Sequence, residues 1–273
     1  MEFGESLRLV RSRKPLVECI TNIVTVNDCA NVILAAGGSP AMTMDIREVR
    51  EGVAGMQALV CNMGAIDFVD SMIVAGERAN ELGIPVALDP VACGTTELRR
   101  TQSRRLLDCV HFSVIRGNAS EIRFLAQGGK TGAGVDVKAI DEVTENNVRE
   151  SGEIVAELAR RLDTVIAISG KIDLVSDGRH TVALRNGCAT MARITGSGCM
   201  LSSLTGEFAG ADRENVFRAT VAAMTTMGLA GEIAEKKRLE EGTGNASFRT
   251  YLIDAVYNME PEDIDEGIRC EYL

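Results

Sequence analysis

The chain has 273 residues, 45% of them hydrophobic, enough for one large core, and no linker, low-complexity tract or composition shift divides it, so residues 1–273 read as a single domain. A net charge of −10, scattered Lys and Arg, no Trp and only 4% aromatics leave neither a basic stripe nor a stacking platform, which excludes nucleic acid and favours a small-molecule partner. Residues 1–14 are polar and mixed in charge, unlike a signal peptide, apolar stretches such as 221–230 are too short to span a bilayer, and eight cysteines without a Cys-x-x-Cys pair, beside two histidines, form no zinc pattern. The expected location is the reducing cytoplasm, away from any membrane.

Short apolar runs alternate with longer amphipathic stretches, the pattern of parallel strands joined by helical crossovers. A first strand is expected at 16–20 and a helix at 27–36, stopped by Gly37-Gly38. The unbroken apolar run 58–61 suits a strand buried on both faces. A helix follows at 68–82 with Gly83 as its stop, then a strand at 85–88 ending in Asp89-Pro90. A helix at 97–108, a strand at 111–115 and a helix at 118–126 continue the alternation, before a Gly-rich and then acidic loop at 127–147. Next come a helix at 148–162 and a strand at 164–168. Strands at 174–176 and 180–184 flank Asp177-Gly178, a hairpin signal. Helices are expected at 199–209, 214–235 and 247–258, and the acidic tail 260–273 reads as mostly solvated. The fold class is α/β.

Two familiar phosphate motifs fail on inspection. Gly129-Lys130-Thr131 resembles the end of a P-loop, but Phe124 stands where that loop needs its first Gly. Gly196-x-Gly198 begins a dinucleotide fingerprint, yet Leu201 occupies the third glycine position and only helices follow.

Arg193-Ile194-Thr195-Gly196-Ser197-Gly198-Cys199-Met200-Leu201 carries more information. Its glycines bare backbone N–H groups at the start of a helix, where the helix dipole adds positive charge. Gly196, Ser197 and Gly198 therefore form a candidate anion hole for a phosphoryl group in transfer, as against a plain Gly-rich turn before a core helix. Cys199 is placed to position an acceptor hydroxyl and take its proton late, or merely to pack as a small residue. In Arg116-Gly117-Asn118-Ala119-Ser120-Glu121, Asn118 and Glu121 fit either a capping box or a water-mediated Mg²⁺ site, and Arg116 fits a phosphate oxygen. Asp89, at another strand's carboxyl end, offers a second carboxylate. Together these residues point to an enzyme that uses Mg-ATP to phosphorylate the hydroxyl of a small molecule.

The order and spacing of these fragments, with Ile20-Thr21-Asn22, Gly38-Ser39-Pro40-Ala41-Met42, Leu59-Val60-Cys61-Asn62-Met63-Gly64, Pro85 to Val91 and Ile166 to Gly170, resemble the hydroxyethylthiazole kinase family over nearly the whole chain. This thiamine-salvage family belongs to the ribokinase-like group. The resemblance implies a ribokinase-like three-layer sandwich with a mostly parallel central sheet and no separate lid domain. It implies transfer of the ATP γ-phosphoryl to the alcohol of 4-methyl-5-(2-hydroxyethyl)thiazole, in a homotrimer with sites between subunits. It further implies that Asn22, Met42 and Gly196 touch the thiazole, that Arg116, Asn118 and Ser169 bind ATP, and that Glu121 and Asp89 serve the metal. Met42 also reads as core, Asn22 as a turn residue and Ser169-Gly170 as a strand-end turn. Ser169 replaces the family's usual Thr. Gly242 to Phe248 lacks the Pro of the family's Gly-Pro-Gly-Ser-Phe segment and is two residues longer. Competing expectations are a kinase for hydroxymethylpyrimidine or a sugar, a nucleotide-dependent hydro-lyase of the same fold, whose members carry Asp at position 199, and a non-catalytic sensor.

Overall fold

A computed structural model describes residues 2–127 and 142–273. In chain order the elements are α1 (Gly4–Arg13), β1 (Leu16–Ile20), α2 (Val26–Ala36), β2 (Ser39–Ala41), α3 (Val49–Gly52), β3 (Ala58–Asn62), α4 (Val69–Glu81), β4 (Val86–Asp89), α5 (Glu97–Cys109), β5 (Val114–Asn118), α6 (Ala119–Gln127), α7 (Val148–Leu162), β6 (Val165–Ser169), β7 (Asp173–Ser176), β8 (Thr181–Leu184), α8 (Ser197–Ala211), α9 (Val216–Glu241), α10 (Asn245–Asn258), α11 (Pro261–Gly267) and β9 (Cys270–Tyr272). Short 3₁₀ turns punctuate the connections.

All these strands join one sheet in the order β2-β1-β3-β4-β5-β6-β7-β8-β9. From β2 to β6 every pairing is parallel, and from β6 to β9 every pairing is antiparallel. Strand residues alternate between the faces, as the two-residue period requires. Ala58 and Val60 join one core with α1, α2, α8, α9, α10 and α11, while Leu59 and Cys61 join the other with α3, α4, α5, α6 and α7. The result is the expected ribokinase-like sandwich of helices, sheet and helices. Among the described residues no second sheet stands apart as a lid.

Helix α8 is almost wholly buried from Met200 onward and packs against β3 and β4. That contact depends on a missing side chain. A Cβ on Gly206 would lie 2.3 Å from Val60 Cγ2, so only glycine allows the helix to sit this close to the strand. Because α8 carries the Gly-rich turn at its start, this packing sets the depth at which the turn meets the sheet.

Several expectations need correction. The N-terminal stretch, for which no element is expected above, forms α1, and Phe3 at its start, Leu7 and Val10 are buried at helical spacing. The acidic tail is not simply solvated: Ile264 of α11 is fully buried, and β9 pairs with β8 at the sheet edge. Seven- and three-residue elements carry too few apolar residues to show a period. The strand expected at 111–115 runs from Val114 to Asn118, so Arg116 lies inside β5 rather than after it. Gly117-Asn118 reads locally as a turn, but pairing of Gly117 with Ile168 and of Asn118 with Ser169 extends the strand through it. The loop 127–147 and the Gly129-Lys130-Thr131 motif fall largely outside the described residues. The Asp177-Gly178 hairpin forms as expected, with Gly178 at φ +83°.

Substituting Gly206→Ala is expected to cost about 1–3 kcal/mol in urea denaturation. Adding Val60→Ala should make the double variant's loss smaller than the sum of the two single losses, because it removes the methyl that the new Cβ meets. Strict additivity would show that this contact does not set the spacing.

Candidate active site

The carboxyl ends of β3, β4, β5 and β6 lie side by side, and each ends on a polar residue. Register partners Asn62 and Asp89 close β3 and β4, while Asn118 and Ser169 close β5 and β6. In open α/β sheets this edge is where ligands bind. The start of α8 meets it there. Gly196 has φ +85°, a conformation costly for other residues, and no side chain caps the helix, so the first-turn amides are left for another acceptor.

Arg116 and Asp89 are the buried charges of this corner, 8% and 2% exposed. The Arg116 guanidinium donates through Nη1 to the Gly198 carbonyl at 3.0 Å and through Nη2 to the Ser169 hydroxyl. It stands 3.9 Å from Asp89 Oδ2, and its Nε is buried with no hydrogen-bond partner. Asp89 Oδ2 accepts from the Ser202 hydroxyl at 2.8 Å and from Asn62 Nδ2 at 3.0 Å. Burial pushes the Asp89 carboxyl up to about 6, with Glu121 adding repulsion, against the pull of Arg116 and Ser202.

Cys199 is half-buried in the first turn of α8. Its sulfur faces two side-chain amides, Asn62 Nδ2 at 3.2 Å and Asn22 Nδ2 at 3.5 Å. Asn22 also turns its own backbone, accepting through Oδ1 from the amides of Val24 and Thr25. Both expected readings of Asn22, turn former and site residue, are thus compatible. The same holds for Asn118 and Glu121. Asn118 Oδ1 accepts from the Glu121 amide at 3.0 Å and Glu121 Oε2 accepts from the Asn118 amide at 2.8 Å, a reciprocal capping box. Glu121 Oε1 accepts from the Ala92 amide at 2.9 Å, which ties the turn after β4 to the start of α6.

A cavity of 590 Å³ opens on the other side of Arg116. Arg116, Ser169, Ser197 and Gly198 line it, together with Asp173 and the apolar Met224 and Met227. The expected residues therefore divide. Arg116, Ser169 and the Gly-rich turn face the cavity, Cys199, Asn22 and Asp89 gather beside it, and Asn118 and Glu121 flank the corner. Met42 is half-buried against the core, and its segment is held by buried Glu18, whose Oε1 accepts from the Thr43 amide at 2.6 Å. Among the described residues no side-chain hydrogen bond joins Met42 to Cys199 or Asn22 in the way that Asn62 joins Cys199 to Asp89.

The sequence model of the hydroxyethylthiazole kinase family matches residues 7–262. The chain belongs to the hydroxyethylthiazole kinase family. The hydroxyethylthiazole kinase of Methanobrevibacter smithii is 43% identical over 277 residues, covering 98% of this chain and 96% of that protein. A solved structure of hydroxyethylthiazole kinase from Pyrococcus horikoshii superposes with a TM-score of 0.85 at 35% identity, over 99% of this chain and 98% of that one. A ribokinase-like superfamily protein from Enterococcus faecalis shares the fold at a TM-score of 0.61 and 12% identity, over 90% of this chain and 89% of that one. Membership of the hydroxyethylthiazole kinase family makes the chain a phosphotransferase. Among the described residues no helix is long and apolar enough to cross a membrane.

Four further residues border the corner or cavity without having been expected as site residues: Asn62, which stood only within a family-like fragment, and Ser202, Glu18 and Asp173. Ser202, three residues after Cys199 and so on the same face of α8, was the one with a usable signal.

Asp89 gives a pH-dependent test. Because folding raises its value, ionising it costs stability, so its contribution is most favourable at low pH and declines as pH rises through about 6. Arg116→Leu removes the guanidinium that offsets this cost. The expected loss is roughly 3 kcal/mol in urea denaturation at pH 8, fading toward pH 5 as Asp89 takes up a proton. An equal loss at both pH values would mean that Arg116 does not support the Asp89 carboxylate.

Proposed function

We propose that the chain transfers the γ-phosphoryl of ATP to the hydroxyl of 4-methyl-5-(2-hydroxyethyl)thiazole, a step of thiamine salvage, acting in the cytoplasm as one domain of residues 1–273. The observation that carries this reading is the open amide turn at Ser197–Cys199, with a guanidinium-lined cavity on one side and a thiol held by amides on the other.

On this reading the nucleotide lies in the cavity, its apolar portion against Met224 and Met227. Arg116, which lines the cavity, meets its phosphates beside the Ser169 hydroxyl, which stands where the family has Thr. Asn118 flanks the same edge. The amides of Ser197, Gly198 and Cys199 receive the γ-phosphoryl oxygens as negative charge spreads over them. The acceptor alcohol approaches from the Cys199 side, between Asn22 and Gly196, with Met42 against the ring. Its oxygen forms the new P–O bond as the bond to the bridging oxygen of ADP breaks, and its proton leaves toward the Cys199 sulfur or solvent. With two amide donors aimed at it, the sulfur is oriented as an acceptor and suits a hydrogen bond from that hydroxyl.

Magnesium fits the residues that are present. On this reading the cation is shared between nucleotide oxygens and protein carboxylates. Asp89 and Glu121 supply the hard carboxylates such a cation takes through water. Each Glu121 oxygen accepts one backbone amide, which leaves each a further lone pair. When bound, Mg²⁺ neutralises charge on the transferring phosphates.

The homotrimer belongs to the same proposal. Ile23 and Val24, 82% and 68% exposed, follow Asn22, and Ile46, 51% exposed, follows Met42. Apolar surface beside both thiazole residues suits a neighbouring subunit that closes the site.

With ATP, Mg²⁺ and the thiazole alcohol, the protein should produce ADP and phosphorylated thiazole in equal amounts, and EDTA should abolish turnover. ADP release without thiazole phosphate, or faster turnover of hydroxymethylpyrimidine, would replace this substrate. Glu121→Gln should lower kcat about 10²-fold with a modest change in thiazole affinity, whereas Met42→Asp should raise the thiazole KM with a smaller effect on kcat. If Glu121→Gln keeps both turnover and its Mg²⁺ dependence, the metal assignment is wrong. Light scattering should give a mass three times the chain's 29.2 kDa.

A further inference from the structure

We propose that Asn62 is a positioning residue for phosphoryl transfer, holding the Cys199 sulfur and the Asp89 carboxylate in one fixed corner through the two hydrogens of a single amide. The inference rests on the kinase reading above and extends it to a residue outside the nucleotide cavity.

Asn62 closes β3 and is 1% exposed. Its orientation follows from its carbonyl end. The Gly64 amide donates to Oδ1 at 2.8 Å, and a backbone N–H can only face the oxygen of a carboxamide. The NH₂ end must therefore point away from that turn. It meets Asp89 Oδ2 at 3.0 Å and Cys199 Sγ at 3.2 Å, which uses both of its hydrogens. The turn is shaped for this arrangement. A Cβ on Gly64 would fall 2.7 Å from Asn62 Oδ1 and 2.9 Å from Asn22 Nδ2, so a larger residue there would displace the two amides that face the sulfur.

The bonds close a ring. Ser202 donates to the same Asp89 oxygen at 2.8 Å and sits one turn along α8 from Cys199. The ring thus runs from Cys199 through Asn62 and Asp89 to Ser202, and back along the helix to Cys199. Rotation of the Cys199 side chain breaks the Asn62 bond, and displacement of Asp89 breaks two bonds. In a buried corner each broken bond leaves a polar group without water, so one arrangement is strongly preferred. The ring links the thiol that meets the acceptor hydroxyl with the carboxylate nearest Arg116. Asn62 does not line the nucleotide cavity, so its loss should slow the transfer step while sparing ATP binding.

The test uses the full chain with ATP, Mg²⁺ and the thiazole alcohol, and two variants. Asn62→Asp keeps the oxygen that accepts from Gly64 and loses both donors. Asn62→Ala loses everything but does not add a second buried acid beside Asp89, so at least one variant is expected to fold. Either should lower kcat about 10–100-fold while the ATP KM stays within about twofold. In a Cys199→Ala background, Asn62→Ala should slow turnover less than it does in the wild type, because its sulfur partner is already gone. In a crystal structure of the folded variant, the Cys199 side chain should leave its present rotamer. Wild-type turnover in both variants, a raised ATP KM as the main effect, full additivity with Cys199→Ala, or an unmoved Cys199 side chain would each overturn the proposal. Failure of the wild type to phosphorylate the thiazole would instead sink the functional reading, and the crystal structure would still decide whether Asn62 holds the sulfur.

Discussion

Everything at the sheet edge is arranged around one buried carboxylate. Asp89 sits at the carboxyl end of a central strand, out of water, with a raised pKa and three groups turned toward one of its oxygens: Ser202, Asn62 and Arg116. An ionised group in such a place is unfavourable unless neighbours supply what water would have supplied. Those neighbours come from three different elements, α8, β3 and β5. Satisfying Asp89 therefore locks together the parts that the proposed transfer needs to keep in register.

The fold makes that meeting possible by simple means. Parallel strands end at a common level, so residues distant in sequence become lateral neighbours, as with Asn62 and Asp89 or Asn118 and Ser169. Helix α8 then brings its uncapped start to the same edge, at a depth permitted by the absence of a side chain at Gly206. Arg116 donates to the Gly198 carbonyl within that first turn, which ties the helix start to β5. Backbone amides, guanidinium, thiol and carboxylate thus share one small volume, although no two of the elements that carry them are consecutive.

On the proposed function several residues do structural and chemical work at once. The Asn118–Glu121 pair is a capping box by its hydrogen bonds, and Glu121 also fastens the turn after β4. Asn22 builds its own turn and faces the Cys199 sulfur. A capping or turn-forming role does not count against a site role here, because the same bonds that satisfy the backbone also fix where the remaining lone pairs and N–H groups point. Tight local bonding is what holds such a site in place before any ligand arrives.

The sequence alone determined the α/β class and most of the elements, because alternation of apolar runs with amphipathic stretches is a local property that burial on both faces of a sheet imposes on composition, while the three-layer sandwich was implied by the family resemblance. It also determined the Gly196–Cys199 turn and the Asn118–Glu121 capping box, since bare amides at a helix start and capping residues have short-range signatures. Tertiary structure alone decided the rest. The three-residue β2 and β9 and the continuation of β5 through Gly117-Asn118 depend on neighbours to which those segments are not adjacent in sequence. The roles of Asn62 and Ser202 are of the same kind. A buried amide or hydroxyl has meaning only through its partners, and at Asn62 those partners, Asp89 and Cys199, lie 27 and 137 residues away along the chain.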